Sequence, residues 1–316
     1  MARTRRLQSD PLIFFSALGF ILVFVAATLA FGEQARATYE AISTWLMDHF
    51  TWLYVGGISA TLIFLICVFV SRYGNLRLGD DDDEPEYSYP VWFAMLFAAG
   101  MGATLMFWGA AEPLNHAYNP PRGGYDSMSR DAIIQAFEFT YYHFGIHMWV
   151  IFTLPGLAVG YFVYKRKMPA RVSSIFAPLL GRRVYEAPGK LLDALGIIGT
   201  VFGLAVSVGL GVLQISAGMN ILWDVPLVTP VQIGIIVAIT LAASLSVATG
   251  LDKGVKILSN MNIAATIALM IFVLATGPTL KLLGQITESF GIYAQSLPEL
   301  MFWVDSYNDN PGWHAT

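Results

Sequence analysis

Charge is what this chain of 316 residues has least of. Asp, Glu, Lys and Arg together make up 13% of it, against 56% hydrophobic residues, whereas soluble domains carry about 25% charged residues. Cysteine is scarcer still. A single thiol, Cys67, excludes a disulfide framework and any cysteine-based metal site. No P-loop, GxSxG or HExxH motif occurs, and the carboxylates lie in connections rather than as pairs within apolar runs. The residues for phosphoryl transfer, serine hydrolysis and zinc peptide cleavage are therefore missing, no catalytic residue is assigned, and the chain is not expected to be an enzyme. The near absence of charge inside the apolar runs also argues against a proton relay built of carboxylates. A net charge of −4 gives no footing to nucleic acid as a partner.

What the chain has is length without charge. Seven apolar runs, at about 12–32, 50–71, 90–111, 142–164, 191–213, 228–249 and 257–279, are each long enough to cross a bilayer. The expected class is an all-α polytopic membrane protein with the lipid bilayer as its surroundings. The first run is too long for the apolar core of a signal peptide, and Glu33-Gln34-Ala35-Arg36 follows it instead of a cleavage site. Basic residues gather on alternate connections. Arg3, Arg5 and Arg6 lead; Arg72 and Arg77 follow the second run. Seven more lie between Lys165 and Lys190, and Lys253 and Lys256 separate the sixth run from the seventh. Of the eighteen basic residues only Arg36, Arg122, Arg130 and Lys281 fall elsewhere. The positive-inside rule then places the N-terminus in the cytoplasm and the 115–130 connection outside.

Between the runs, Asp80–Glu84 reads as a solvated acidic loop, and 131–139 as an amphipathic stretch before the fourth span. The 168–190 connection is broken by Pro169, Pro178, Gly181 and Pro188. Thr249-Gly250-Leu251-Asp252-Lys253-Gly254 reads as a tight turn, and 285–302 as an amphipathic surface helix on the outside. Glu112, before Pro113 at the end of the third run, is assigned a structural role. His143 and His147 have the spacing of a metal pair on a helix. They lack a carboxylate or cysteine companion nearby and are read as packing and hydrogen-bonding residues.

Two stretches carry more than packing requires. Gly100 and Gly102 flank Met101 inside the third run. Glycine weakens a helix by about 1 kcal/mol relative to alanine, and an opened backbone at membrane depth is tolerated where it lines a cavity, as in transporters. Glycines also allow helices to pack closely, and spacing alone leaves both uses open. The fourth run opens Tyr141-Tyr142-His143-Phe144-Gly145-Ile146-His147-Met148-Trp149-Val150-Ile151-Phe152. There Phe144, Trp149 and Phe152 fall within reach of one side of a helix. Aromatic faces turned to a cavity hold quaternary ammonium groups; aromatics in membrane helices also simply pack.

Taken together, the segments resemble the betaine/choline/carnitine transporter family over almost the whole chain. The resemblance rests on Leu78-Gly79, Trp92-Phe93 leading to Ala98-Ala99-Gly100-Met101-Gly102, then Phe107-Trp108-Gly109 with Glu112-Pro113. It continues through the His-x-x-x-His-x-Trp run of the fourth span, Pro178-Leu179-Leu180-Gly181, Phe202-Gly203, Gly209-Leu210-Gly211 and Thr249–Gly254. It implies two leading helices within 12–85 after a cytoplasmic tail at 1–11. The first five-helix repeat of an inverted-repeat transporter fold would follow at 86–284, and an external amphipathic helix and tail at 285–316. The second repeat would be absent from the chain, since the tryptophan-rich segment before the eighth helix begins at Gly312-Trp313 and stops; the expectation is a fragment. By the same resemblance, Gly100, Met101, Gly102 and Thr104 would line the substrate site, and Phe144, Trp149 and Phe152 would hold a trimethylammonium group. Ala98 and Met101 would help bind one sodium ion and Thr200 another. Relatives usually have Trp at 144, Tyr at 152, Gly or Asp at 104 and a hydroxyl at 204, where this chain has Phe, Phe, Thr and Leu.

The implied function is import of a betaine-, choline- or carnitine-type quaternary ammonium compound across the bacterial plasma membrane. It would proceed by alternating access with sodium as coupling ion, no organic cofactor, and a homotrimeric assembly. Two other readings stand beside it. One is a proton-coupled carrier or exchanger of a related zwitterion or sulfonium compound; the other is a non-transporting membrane sensor or assembly subunit.

Overall fold

The computed structural model describes residues 10–80, 82–100, 103–250 and 254–306, and every regular element among them is helical. Helix α1 (Pro11–Phe31) starts where Asp10 accepts a hydrogen bond from the Leu12 amide (3.0 Å), with proline in the first turn, where no backbone donor is needed. Gly32, at φ 45°, separates it from α2 (Glu33–Val70). Helix α2 begins well before the apolar run at 50. Its first turns are built of good helix formers, and the Arg36 guanidinium donates to Glu40 one turn on (2.9 Å).

Helices α3 (Tyr89–Gly100) and α4 (Ala103–Tyr118) occupy the third expected span, on either side of Met101 and Gly102, which lie outside the described residues. Six helical stretches among the described residues are long and apolar enough to cross a membrane, and they match every expected span but the third, which is divided by residues outside the description. Helices α5 (Arg130–Phe144) and α6 (Ile146–Gly160) are interrupted only at Gly145, and a π-helical turn (Tyr161–Lys165) ends the second. After two 3-10 turns around the short α7 (Ala177–Leu180) comes α8 (Ala187–Trp223), longer at both ends than the run at 191–213. Pro188 sits in its first turn, where proline is tolerated. The remaining helices are α9 (Thr229–Ala248), α10 (Lys256–Thr276) and α11 (Thr279–Leu300), the last longer at its start than the amphipathic stretch anticipated. No residue in the most apolar part of α9 is fully buried within the chain.

The chain divides into two compact units. The first comprises Met1–Asp83, His143–Phe202 and Pro298–Thr316. In it α2 packs on α1 and on α6, and Phe24 stands edge-on to Phe202 (4.7 Å between ring centres) and stacked on Tyr39 (5.0 Å). Lys190 closes an ion pair with Asp10 at 2.8 Å, tying the start of α8 to the start of α1. That hydrogen bond holds the Asp10 carboxyl below its usual range. The pair therefore persists at neutral pH and is lost only as acidification passes through the lowered pKa. Asp193 is buried and accepts from both the amide (2.7 Å) and the hydroxyl (3.0 Å) of Ser173, clamping the 168–190 connection onto α8. Lys167 reaches Asp80 (2.9 Å), so the acidic loop is solvated but not wholly unpaired. The buried Ser59 hydroxyl donates to the Met301 carbonyl (2.5 Å).

The second unit comprises Glu84–Tyr142 and Gly203–Leu297. Here α3 packs along α10. The connection after α4 is folded onto α5: the Arg122 amide donates to Gln135 (3.1 Å) and its guanidinium to Glu138 (3.3 Å), above the Phe139 ring (5.7 Å). Glu138 is buried, and removing one partner of such a pair costs about 3 kcal/mol or more. At the turn before α10, a Cβ on Gly254 would meet the Ser246 carbonyl oxygen at 1.9 Å, so only glycine fits there. Residues 251–253 of that turn lie outside the described residues.

Candidate substrate and ion site

The residues anticipated from the sequence fall into both units. In the first, α6 carries Trp149 and Phe152 three residues apart, so their side chains share a face. Their ring centres lie 5.9 Å apart with planes inclined by 46°. The two rings are tilted against each other, and Phe152 is 52% exposed. Phe144 ends α5, on the other side of Gly145, and is half-buried. His147, one turn before Ile151 on α6, is buried, and His143 is half-buried.

Also in the first unit, Thr200 lines a cavity of about 460 Å³ together with Asp10, Asp193 and Gly196. Its hydroxyl donates to the Gly196 carbonyl (2.8 Å), which leaves the oxygen's lone pairs available to a cation. Both oxygens of the Asp193 carboxylate are engaged by Ser173. One oxygen of Asp10 takes the Leu12 amide and the other the Lys190 ammonium.

In the second unit, Ala98 and Gly100 lie in the last turn of α3 and are half-buried. Met101 and Gly102 lie outside the described residues, and Thr104 belongs to the first turn of α4. Glu112 is buried with its carboxylate 3.4 Å from Nε2 of the buried His116, one turn along α4. This arrangement fits the structural role read for Glu112.

Sequence reasoning missed the two buried carboxylates that organise the connections, Asp193 with Ser173 and Glu138 with Arg122. Both bring together residues far apart along the chain, and no local spacing announces them. The Glu112–His116 pair did carry a signal, the four-residue spacing of an acid and an imidazole on one helix.

Known proteins give the arrangement its context. The family model described as betaine/carnitine/choline family transporter matches residues 12–316. The ectoine/glycine betaine/proline transporter EctP of Corynebacterium glutamicum is 62% identical over 309 residues, which are 98% of this chain and 50% of that protein. A glycine betaine transporter of Acinetobacter baylyi is 36% identical over 304 residues, 96% of this chain and 46% of that protein. The high-affinity choline transport protein of Escherichia coli is 34% identical over 284 residues, 90% of this chain and 42% of that protein. The chain spans about half the length of these curated relatives.

Proposed function

The chain belongs to the betaine/carnitine/choline family of transporters, and from that premise we propose that it serves the import of a small zwitterionic osmolyte of the glycine betaine type. The observation that carries the reading is its identity of 62%, over nearly its whole length, with a transporter named for ectoine, glycine betaine and proline. A membrane transporter of this family is not an enzyme; its work is binding and release on two sides of a bilayer. The onium end of the solute would rest against Trp149 and Phe152, with Phe144 nearby on the preceding helix. Gly100, Met101, Gly102 and Thr104 would border the remainder. A desolvated cation over an aromatic face gains about 2 kcal/mol, and Trp149 and Phe152 stand side by side on α6 to offer such faces.

Coupling to sodium, alternating access between inverted repeats and assembly as a homotrimer belong to the same proposal. One sodium ion would be held through carbonyl oxygens at Ala98 and Met101 and another at the Thr200 hydroxyl, hard ligands of the kind such a cation takes. Proteoliposomes holding the transporter, given labelled glycine betaine, test the coupling. Uptake should rise with an inward sodium gradient and stay low with a proton gradient alone, and Thr200→Ala should raise the sodium concentration needed. Uptake that follows the proton gradient and ignores sodium favours the proton-coupled reading instead.

A further inference from the structure

Away from every residue assigned to transport, the second unit contains a groove between α5 and α11. It encloses about 400 Å³. Each helix contributes a stripe with the spacing of one face: 130, 133, 134 and 137 from α5, and 285, 288, 289 and 292 from α11. Two such stripes ordinarily interlock as apolar ridges. These two do not match. The α5 stripe is apolar apart from Arg130, whereas the α11 stripe is Gln285, Glu288 and Ser289 before Ile292. One turn further on, the pattern closes in a ring contact between Tyr141 and the buried Tyr293 (6.0 Å).

The mismatch leaves one guanidinium and one carboxylate facing a common space. Among the described residues neither Arg130 nor Glu288 takes part in an ion pair, with the other or with anything else. Between them the wall is Ile133, Phe137 and Ile292. A ligand fitting this set has a carboxylate for the guanidinium fork and a positive group for the Glu288 carboxylate and the Phe137 ring. Its body is small and apolar.

We propose that the α5–α11 groove is a second binding site for the small zwitterionic solute that the transporter carries. The assignment of solute class rests on the function proposed above; the site itself rests on the groove. On the orientation given by the basic residues, the groove lies on the outer side, beside the 115–130 connection. The same charge pair would also suit a zwitterionic phospholipid headgroup, so the test must separate the two sources.

The reporter is a single cysteine at the exposed Gln285, or at the half-buried Ile292, in a Cys67→Ala background, with the protein in phosphatidylglycerol nanodiscs. Glycine betaine should slow maleimide modification at these positions. Choline, acetate and sucrose at equal osmolarity should not, since each lacks one of the two charges or both. Arg130→Gln and Glu288→Gln should each weaken protection roughly tenfold or more, the loss expected for a charged hydrogen bond. Trp149→Leu should leave protection intact while impairing uptake, so failure of the transport assignment reads differently from failure of this one. The proposal is overturned if neither reporter is protected, if sucrose protects equally, or if protection appears only when phosphatidylethanolamine is added. Protection that survives both charge substitutions overturns it as well.

Discussion

Glycine decides more than bulk at the residue scale. Gly254 is fixed by contact, since any side chain there collides with the Ser246 carbonyl. Gly100 ends α3, and Gly102 falls between α3 and α4. If Gly102 borders the substrate, filling its space removes transport without unfolding the protein. Gly102→Leu is expected to reach the membrane at the normal level and to take up no glycine betaine, while Gly102→Ala retains part of the uptake. A packing role predicts another order, with the leucine variant depleted from the membrane and uptake per molecule unchanged. Immunoblots of membranes beside uptake by the same cells decide between them. Trp149 and Phe152 were legible in the sequence because three-residue spacing on a helix dictates a shared face. Ser173 was not. Nothing in its neighbourhood shows that its hydroxyl and amide both serve a carboxylate twenty positions on.

Hydropathy located the elements, and the structure altered their ends. Helix α2 outruns its apolar stretch because residues of good helix propensity precede the membrane-length core, and α8 outruns its own although Pro188, Gly189, Gly218 and Asn220 lie in its extensions. Connections carry the orientation. The link between α6 and α8 holds six basic residues, with Lys190 following in the first turn of α8, and the link between α4 and α5 holds one, Arg122. Single cysteines at Ser127 and Leu179 in a Cys67→Ala background should label from opposite sides of the membrane, with only Ser127 reacting with an impermeant maleimide in intact cells. Leu179 is 83% exposed and gives a fair negative, whereas Ser173, nearer the middle of the basic cluster, is buried and would stay unlabelled on either side. Labelling of Leu179 in intact cells would reverse the orientation.

The whole molecule is held together by a sparing use of charge. Lys190–Asp10 and Arg122–Glu138 pin connections to helices, each within one compact unit, and the apolar spans leave most of their surface for lipid. Membership of the family was legible because glycines, aromatics and turn residues recur in a fixed order. The ion pairs were not, since they depend on which segments meet. The central claim is that aromatic faces on α6 hold the positive end of a transported osmolyte. It is tested most directly by the concentration dependence of glycine betaine uptake for the unaltered protein, Trp149→Phe and Trp149→Leu, at matched membrane levels. A desolvated cation–π contact of about 2 kcal/mol predicts that the leucine variant raises the half-saturation concentration roughly thirtyfold, with the phenylalanine variant in between. Unchanged half-saturation in Trp149→Leu, or a neutral isostere competing as well as glycine betaine, would contradict it.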